Sequence, residues 1–107
     1  MAEPVALGVD VGTSGIRIAA LDADATTVGS GRAPLPRPDD GGRDPQTWQS
    51  ALKAAFGALA STCELKTVRA VAVDGTSGTI LPVGGDGTPL AHAAMYNDVC
   101  DDKAVLE

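Results

Sequence analysis

Aromatic side chains are nearly missing from this 107-residue sequence: Trp48, Phe56 and Tyr96 each occur once. Stacked rings therefore cannot form its core, which must be filled by Val, Ile, Leu and abundant Ala, small side chains that let backbones approach closely. Basic charge is also short, with 8 Lys and Arg against 14 Asp and Glu and a formal net charge of −6. No basic stripe can neutralise a nucleic-acid backbone or an anionic membrane, so both partners are disfavoured and none is expected. The acids Asp22, Asp24, Asp39, Asp40, Asp86, Asp101 and Asp102 are scattered through loop-like stretches and read as solvated surface. No apolar run approaches the roughly 20 residues of a membrane helix. The start, Met1-Ala2-Glu3-Pro4, lacks the basic and apolar regions of a signal peptide, which predicts a cytoplasmic protein. Cys63 and Cys100 are far apart with no histidine nearby, so they read as two reduced thiols instead of a zinc site or a disulfide. The length suits one compact domain with a modest core.

Periodicity supplies the elements that are present. Over residues 5–11, Val5, Leu7, Val9 and Val11 alternate with Ala6, Gly8 and Asp10, the period of a strand with one apolar and one bare face. Residues 16–21 form a second strand, and 12–15 is short enough for a hairpin turn. A turn at 22–25 leads to a weaker third strand at 26–33, completing an antiparallel meander. Pro34, Pro36, Pro38, Asp39, Asp40, Gly41 and Gly42 then mark a surface loop. Asp44 followed by Pro45 opens a helix, with the carboxylate as cap and proline at the first helical position. Trp48, Leu52, Ala55, Phe56, Leu59 and Cys63 give that helix an apolar face to cover the sheet. Residues 68–73, small and β-branched, suit an interior strand covered on both faces and ending at Asp74. A hairpin is expected from 79–83 and 88–90 around 84–87, then a loop at 95–98 and a helix at 99–106. The ending inside that helix reads as a cut chain, with Leu106-Glu107 as a cloning scar. Three strands, a helix and a strand do not make a Rossmann alternation, and no Gly-x-Gly-x-x-Gly or Gly-Lys-Ser/Thr motif occurs.

The first constellation with chemical content is Asp10-Val11-Gly12-Thr13-Ser14-Gly15. Binding phosphate requires converging backbone amides, little side-chain bulk and hydroxyl donors, and Gly12, Thr13, Ser14 and Gly15 offer all three. Asp10 could hold Mg²⁺ directly or through water, and Arg17 could neutralise phosphate charge. The plain alternative is a hairpin whose glycines only satisfy turn geometry. An aspartate inside an otherwise apolar strand, immediately before that turn, favours the functional reading.

The stretch Leu7-Gly8-Val9-Asp10-Val11-Gly12-Thr13-Ser14 with Arg17 resembles the first phosphate motif of the FGGY carbohydrate kinases. The resemblance implies an α/β chain of the ribonuclease H-like actin, sugar kinase and Hsp70 fold. Residues 1–107 would be the N-terminal part of the first kinase domain, with a mixed sheet made of the meander, the helix and further strands. It also implies ATP and Mg²⁺ as cofactors and a sugar or polyol as substrate. Asp10 would work with Mg²⁺, and Gly12, Thr13, Ser14 and Arg17 would contact the ATP phosphates. The family's aspartate base, second phosphate loop and adenosine site would lie beyond these residues, leaving the segment inactive alone and prone to self-association through exposed apolar sheet.

A second constellation, Asp74-Gly75-Thr76-Ser77-Gly78-Thr79, echoes the first. In the family this position resembles the sugar-pocket lining, so Thr76 and Ser77 would offer hydroxyls to the sugar; a simple strand-end turn is the alternative. A third, Tyr96-Asn97-Asp98, resembles a Trp-x-Asp-x-Arg pattern that contacts substrate, with Cys100 in place of the arginine. Asn97 and Asp98 would bond sugar hydroxyls, or else cap the following helix. Together these segments resemble the ribulokinase or xylulokinase-like branches. His92 stands among alanines with no acid or nucleophile beside it and reads as structural. Two other classes compete: the nucleotide-binding domain of an actin- or Hsp70-type ATPase, which shares the first loop, and an interaction module whose glycines only make turns.

Overall fold

The computed structural model describes residues 2–36, 43–95 and 98. The expected helix at 99–106 and the pair Tyr96-Asn97 lie outside the described residues. The meander forms as β1 (Ala6–Val11), β2 (Gly15–Leu21) and β3 (Thr27–Pro34), followed by α1 (Pro45–Ala60) and β4 (Ala70–Gly75). The sheet order is β3-β2-β1-β4, antiparallel across the meander and parallel between β1 and β4.

Strand parity sorts the two faces. Leu7 and Val9 of β1, Ile16, Ile18 and Ala20 of β2 and Ala33 of β3 are buried in one core with Ala51, Ala55 and Leu59 of α1. Trp48, Leu52 and Phe56 pack half-buried around it. The opposite face carries Gly8 and Asp10, Arg17 and Ala19, Ser30 and Arg32 in register. The helix starts where capping chemistry places it: Asp44 Oδ1 accepts from the Gln46 amide at 2.9 Å. At the other end the Ser61 and Thr62 hydroxyls bond the Ala58 and Leu59 carbonyls at 2.7 and 2.8 Å.

Close approach of backbones sets the helix position. A Cβ on Gly31 would collide with Ala55 O and lie 2.5 Å from Leu59 N, so only a missing side chain lets α1 lie this near β3. Among the described elements α1 packs on β3 and β2 and not on β4. The crossover from helix to β4 is anchored by Thr67 Oγ1 donating to Pro4 O at 2.6 Å and by Arg69 N donating to Val5 O at 2.9 Å.

Three expectations change. The strand at residues 68–73 is not an interior one: as β4 it occupies an edge, with Val71 54% and Val73 68% exposed. Its apolar composition suits burial, but α1 covers that face only over β3 and β2, and no described strand pairs its outer edge. The 79–83 and 88–90 segments close through their turn, where Gly84 N donates to Thr88 O at 2.8 Å, yet they pair only at the isolated bridge Val83↔Pro89. Ile80 bridges instead to Ala94. Finally, Leu35 inside the proline-rich stretch is 8% exposed and belongs to the core, tied down by its amide to Ser14 O at 2.9 Å.

Candidate functional site

The turn between β1 and β2 is closed by Gly12 N donating to Gly15 O at 2.9 Å. Neither Gly12 nor Gly15 has a positive φ, so their absent side chains do not serve a left-handed turn. Thr13 and Ser14 are exposed at the tip, and among the described residues their amides and hydroxyls have no protein partner. This turn therefore presents unclaimed donors to solvent, which is what an anion needs.

Asp10 is exposed on the open face one strand position before the turn. Its register partners are Arg17 on β2 and Asp74 on β4, and Arg17 is in turn opposite Arg32 on β3. The four ionised side chains thus form a row across the whole sheet, ordered Asp74, Asp10, Arg17, Arg32. Asp10, Gly12, Ser14, Arg17 and Arg32 line one cleft of about 540 Å³. Exposed carboxylate oxygens are the hard donors Mg²⁺ selects, and that ion is commonly held by one or two carboxylates together with substrate phosphate. Asp10 fits that role; among the described residues no group of three or more ligating side chains forms a closed metal cage.

The second constellation meets the first. Thr76 N and Oγ1 donate to Val11 O at 3.2 and 3.4 Å, and Thr76 shares a pocket of about 190 Å³ with Gly12, Thr13, Trp48, Thr79 and Met95. Thr79 Oγ1 is buried there without a hydrogen-bond partner among the described residues. Ser77 is exposed at the turn itself, and Gly78 has φ 75°, so this glycine does serve turn geometry. Asp98 is engaged by other protein groups, one of them Met95, which lines the same pocket as Gly12 and Thr13. Arg43 grips its carboxylate, with Nε donating to Oδ2 at 3.1 Å and Nη2 pairing with Oδ1, while Met95 N also donates to Oδ2 at 2.8 Å. These bonds, that of Arg43 foremost, hold the Asp98 carboxyl below the ordinary carboxylate range.

Sequence reasoning missed Arg32 and Arg43. Strand parity could have found Arg32, since it falls on the same face as Ser30; no local signal ties Arg43 to Asp98. His92 is exposed and lines a cleft of about 750 Å³ beside Leu52 and Leu90.

No family model matches the chain. A xylulose kinase of Staphylococcus epidermidis is 31% identical over 104 residues, covering 92% of this chain and 21% of that protein. The solved xylulose kinase of Bifidobacterium adolescentis superposes with a TM-score of 0.74 at 27% identity, over 91% of this chain and 18% of its own. That of Brucella ovis gives 0.76 at 23% identity, over 86% and 21%. The chain spans about a fifth of the length of the curated relatives it matches. Its mixed sheet and helix are part of the actin/Hsp70-like fold of these neighbours. In sequence and in fold, the chain is similar to a part of these sugar kinases.

Proposed function

We propose that these residues serve an ATP-dependent carbohydrate kinase that transfers the γ-phosphate of MgATP to a hydroxyl of a sugar or polyol, with a ketopentose as the substrate class. The observation that carries this reading is the turn at Gly12–Gly15, whose free donors stand beside Asp10 and Arg17 and against Thr76. Gly12, Thr13, Ser14 and Arg17 bind and orient the phosphates by charge-assisted hydrogen bonds. Asp10 holds Mg²⁺, directly or through water; when bound, that ion draws charge from the phosphate oxygens. Thr76, Ser77, Asn97 and Asp98 are assigned to the sugar, their hydroxyl, amide and carboxylate groups matching its hydroxyls. The ketopentose assignment is supported by the relatives being xylulose kinases.

This segment works as the N-terminal part of a longer kinase chain located in the cytoplasm. The aspartate that deprotonates the sugar hydroxyl, the second phosphate loop and the adenosine site come from elsewhere in that chain. The 107 residues alone therefore have no kinase activity. The actin- or Hsp70-type ATPase reading shares the phosphate turn but not the sequence likeness, which runs to sugar kinases. A thermal-shift screen of the full-length protein with MgATP, pentuloses, pentitols and glycerol tests the choice. Stabilisation by a sugar as well as by MgATP is expected; stabilisation by nucleotide alone overturns the kinase reading.

A further inference from the structure

Arg32 has no assigned task, and its surroundings give it one. β2 and β3 place Arg17 and Arg32 directly opposite each other, both exposed on the face that carries Asp10. Like charges in that arrangement repel and weaken strand pairing. Neither guanidinium is joined to a carboxylate among the described residues, although Asp10 is the register partner of Arg17. Both line the 540 Å³ cleft whose other walls include Gly12, Ser14 and Asp10.

An unpaired cation pair opening onto a phosphate-binding turn is relieved by an anion with more than one charge and several oxygens. Each guanidinium presents a planar fork of donors that matches phosphate oxygens, so two adjacent forks suit successive groups of a polyphosphate better than a lone carboxylate or chloride. We infer that Arg32 is a second phosphate-contacting residue, forming with Arg17 a two-guanidinium clamp on the polyphosphate of the nucleotide. This rests on the kinase reading above and adds a specificity element to it: the clamp selects the polyphosphate, not the sugar.

The test compares Arg32→Gln, Arg32→Lys and Arg17→Gln in the full-length protein, by kinetics and by thermal shift with MgATP or inorganic tripolyphosphate. Losing a charge-assisted contact is expected to raise the KM for MgATP roughly 10- to 100-fold in Arg32→Gln. The KM for sugar stays within about 2-fold if Arg32 contacts only the nucleotide. Arg32→Lys, a point charge without the fork, falls between parent and Arg32→Gln. The thermal shift given by tripolyphosphate shrinks in Arg32→Gln, while the melting temperature without ligand is unchanged or raised because a like-charge contact is gone. An unchanged MgATP KM and tripolyphosphate shift in Arg32→Gln overturn the inference, as does a lower ligand-free melting temperature with both KM values moved together, the mark of a structural residue. If Arg17→Gln loses MgATP and Arg32→Gln does not, the clamp falls and the kinase reading stands. If neither MgATP nor tripolyphosphate stabilises the parent, both fall.

Discussion

Arg43 and Asp98, 55 positions apart, meet in a two-point contact that fastens Asp98 beside the start of α1. The Arg43 carbonyl adds to it by accepting from Ala93 N at 2.9 Å. The contact lies next to Asp44, the helix cap, so Ala93 and Asp98 are held by a residue adjoining the one that begins the helix. Cys100 stands where the resembling pattern has an arginine, and Arg43 brings a guanidinium to Asp98 from a different part of the chain.

This contact should be visible in the pH dependence of stability. The folded Asp98 carboxyl is held below its ordinary range, chiefly by Arg43. A depressed folded pKa stabilises the native state above the unfolded value, about 3.9, and that stability is lost as pH falls through the folded value. Arg43→Gln is therefore expected to melt below the parent at about pH 5 to 7, with the gap closing toward about pH 2. A gap that does not change with pH would show that the variant acts through something other than this ion pair.

Gly31→Ala tests the packing of α1 on β3. The added methyl meets backbone atoms of Ala55 and Leu59, which cannot swing aside as a side chain would. Overpacking of this kind costs about 1–3 kcal/mol, and backbone on both sides places this site at the upper end. Denaturant unfolding measures it, and a variant as stable as the parent would mean that helix and strand separate more easily than the contact implies.

Much of this architecture is legible in the sequence because its signals are local. Alternation in residues 5–11 marks β1, Asp44-Pro45 marks the helix start, and the 48–59 stripe marks the buried face of α1. Asp10 and the Gly12–Gly15 turn are legible for the same reason, since one strand and its turn carry them. What escaped depends on partners distant in sequence. The composition of β4 reports that it suits burial, not whether anything covers it, so its edge position could not be read from Val71 and Val73. Leu35 hides among prolines because its burial is decided by the Ser14 carbonyl. Arg32 acquires meaning only through its register with Arg17, and Arg43 only through Asp98.

The exposed apolar edge has a consequence for the 107-residue chain by itself. Val71 and Val73 lie in register with Leu7 and Val9, so the core face of the sheet continues past α1 without cover. An unpaired apolar edge strand is a template for association. Light scattering is expected to show concentration-dependent self-association, reduced by the double substitution Val71→Lys, Val73→Lys. A parent that stays monomeric over a wide concentration range would contradict this.

The central claim is that the turn after Asp10 belongs to a kinase that phosphorylates sugar, and coupled measurement of ADP release by the full-length protein tests it most directly. With MgATP and a panel of pentuloses, pentitols and glycerol, at least one sugar, a ketopentose first, should raise ADP release well above the sugar-free rate. Asp10→Asn should abolish the increase. ADP release indifferent to every sugar in the panel, or undiminished in Asp10→Asn, would contradict the account.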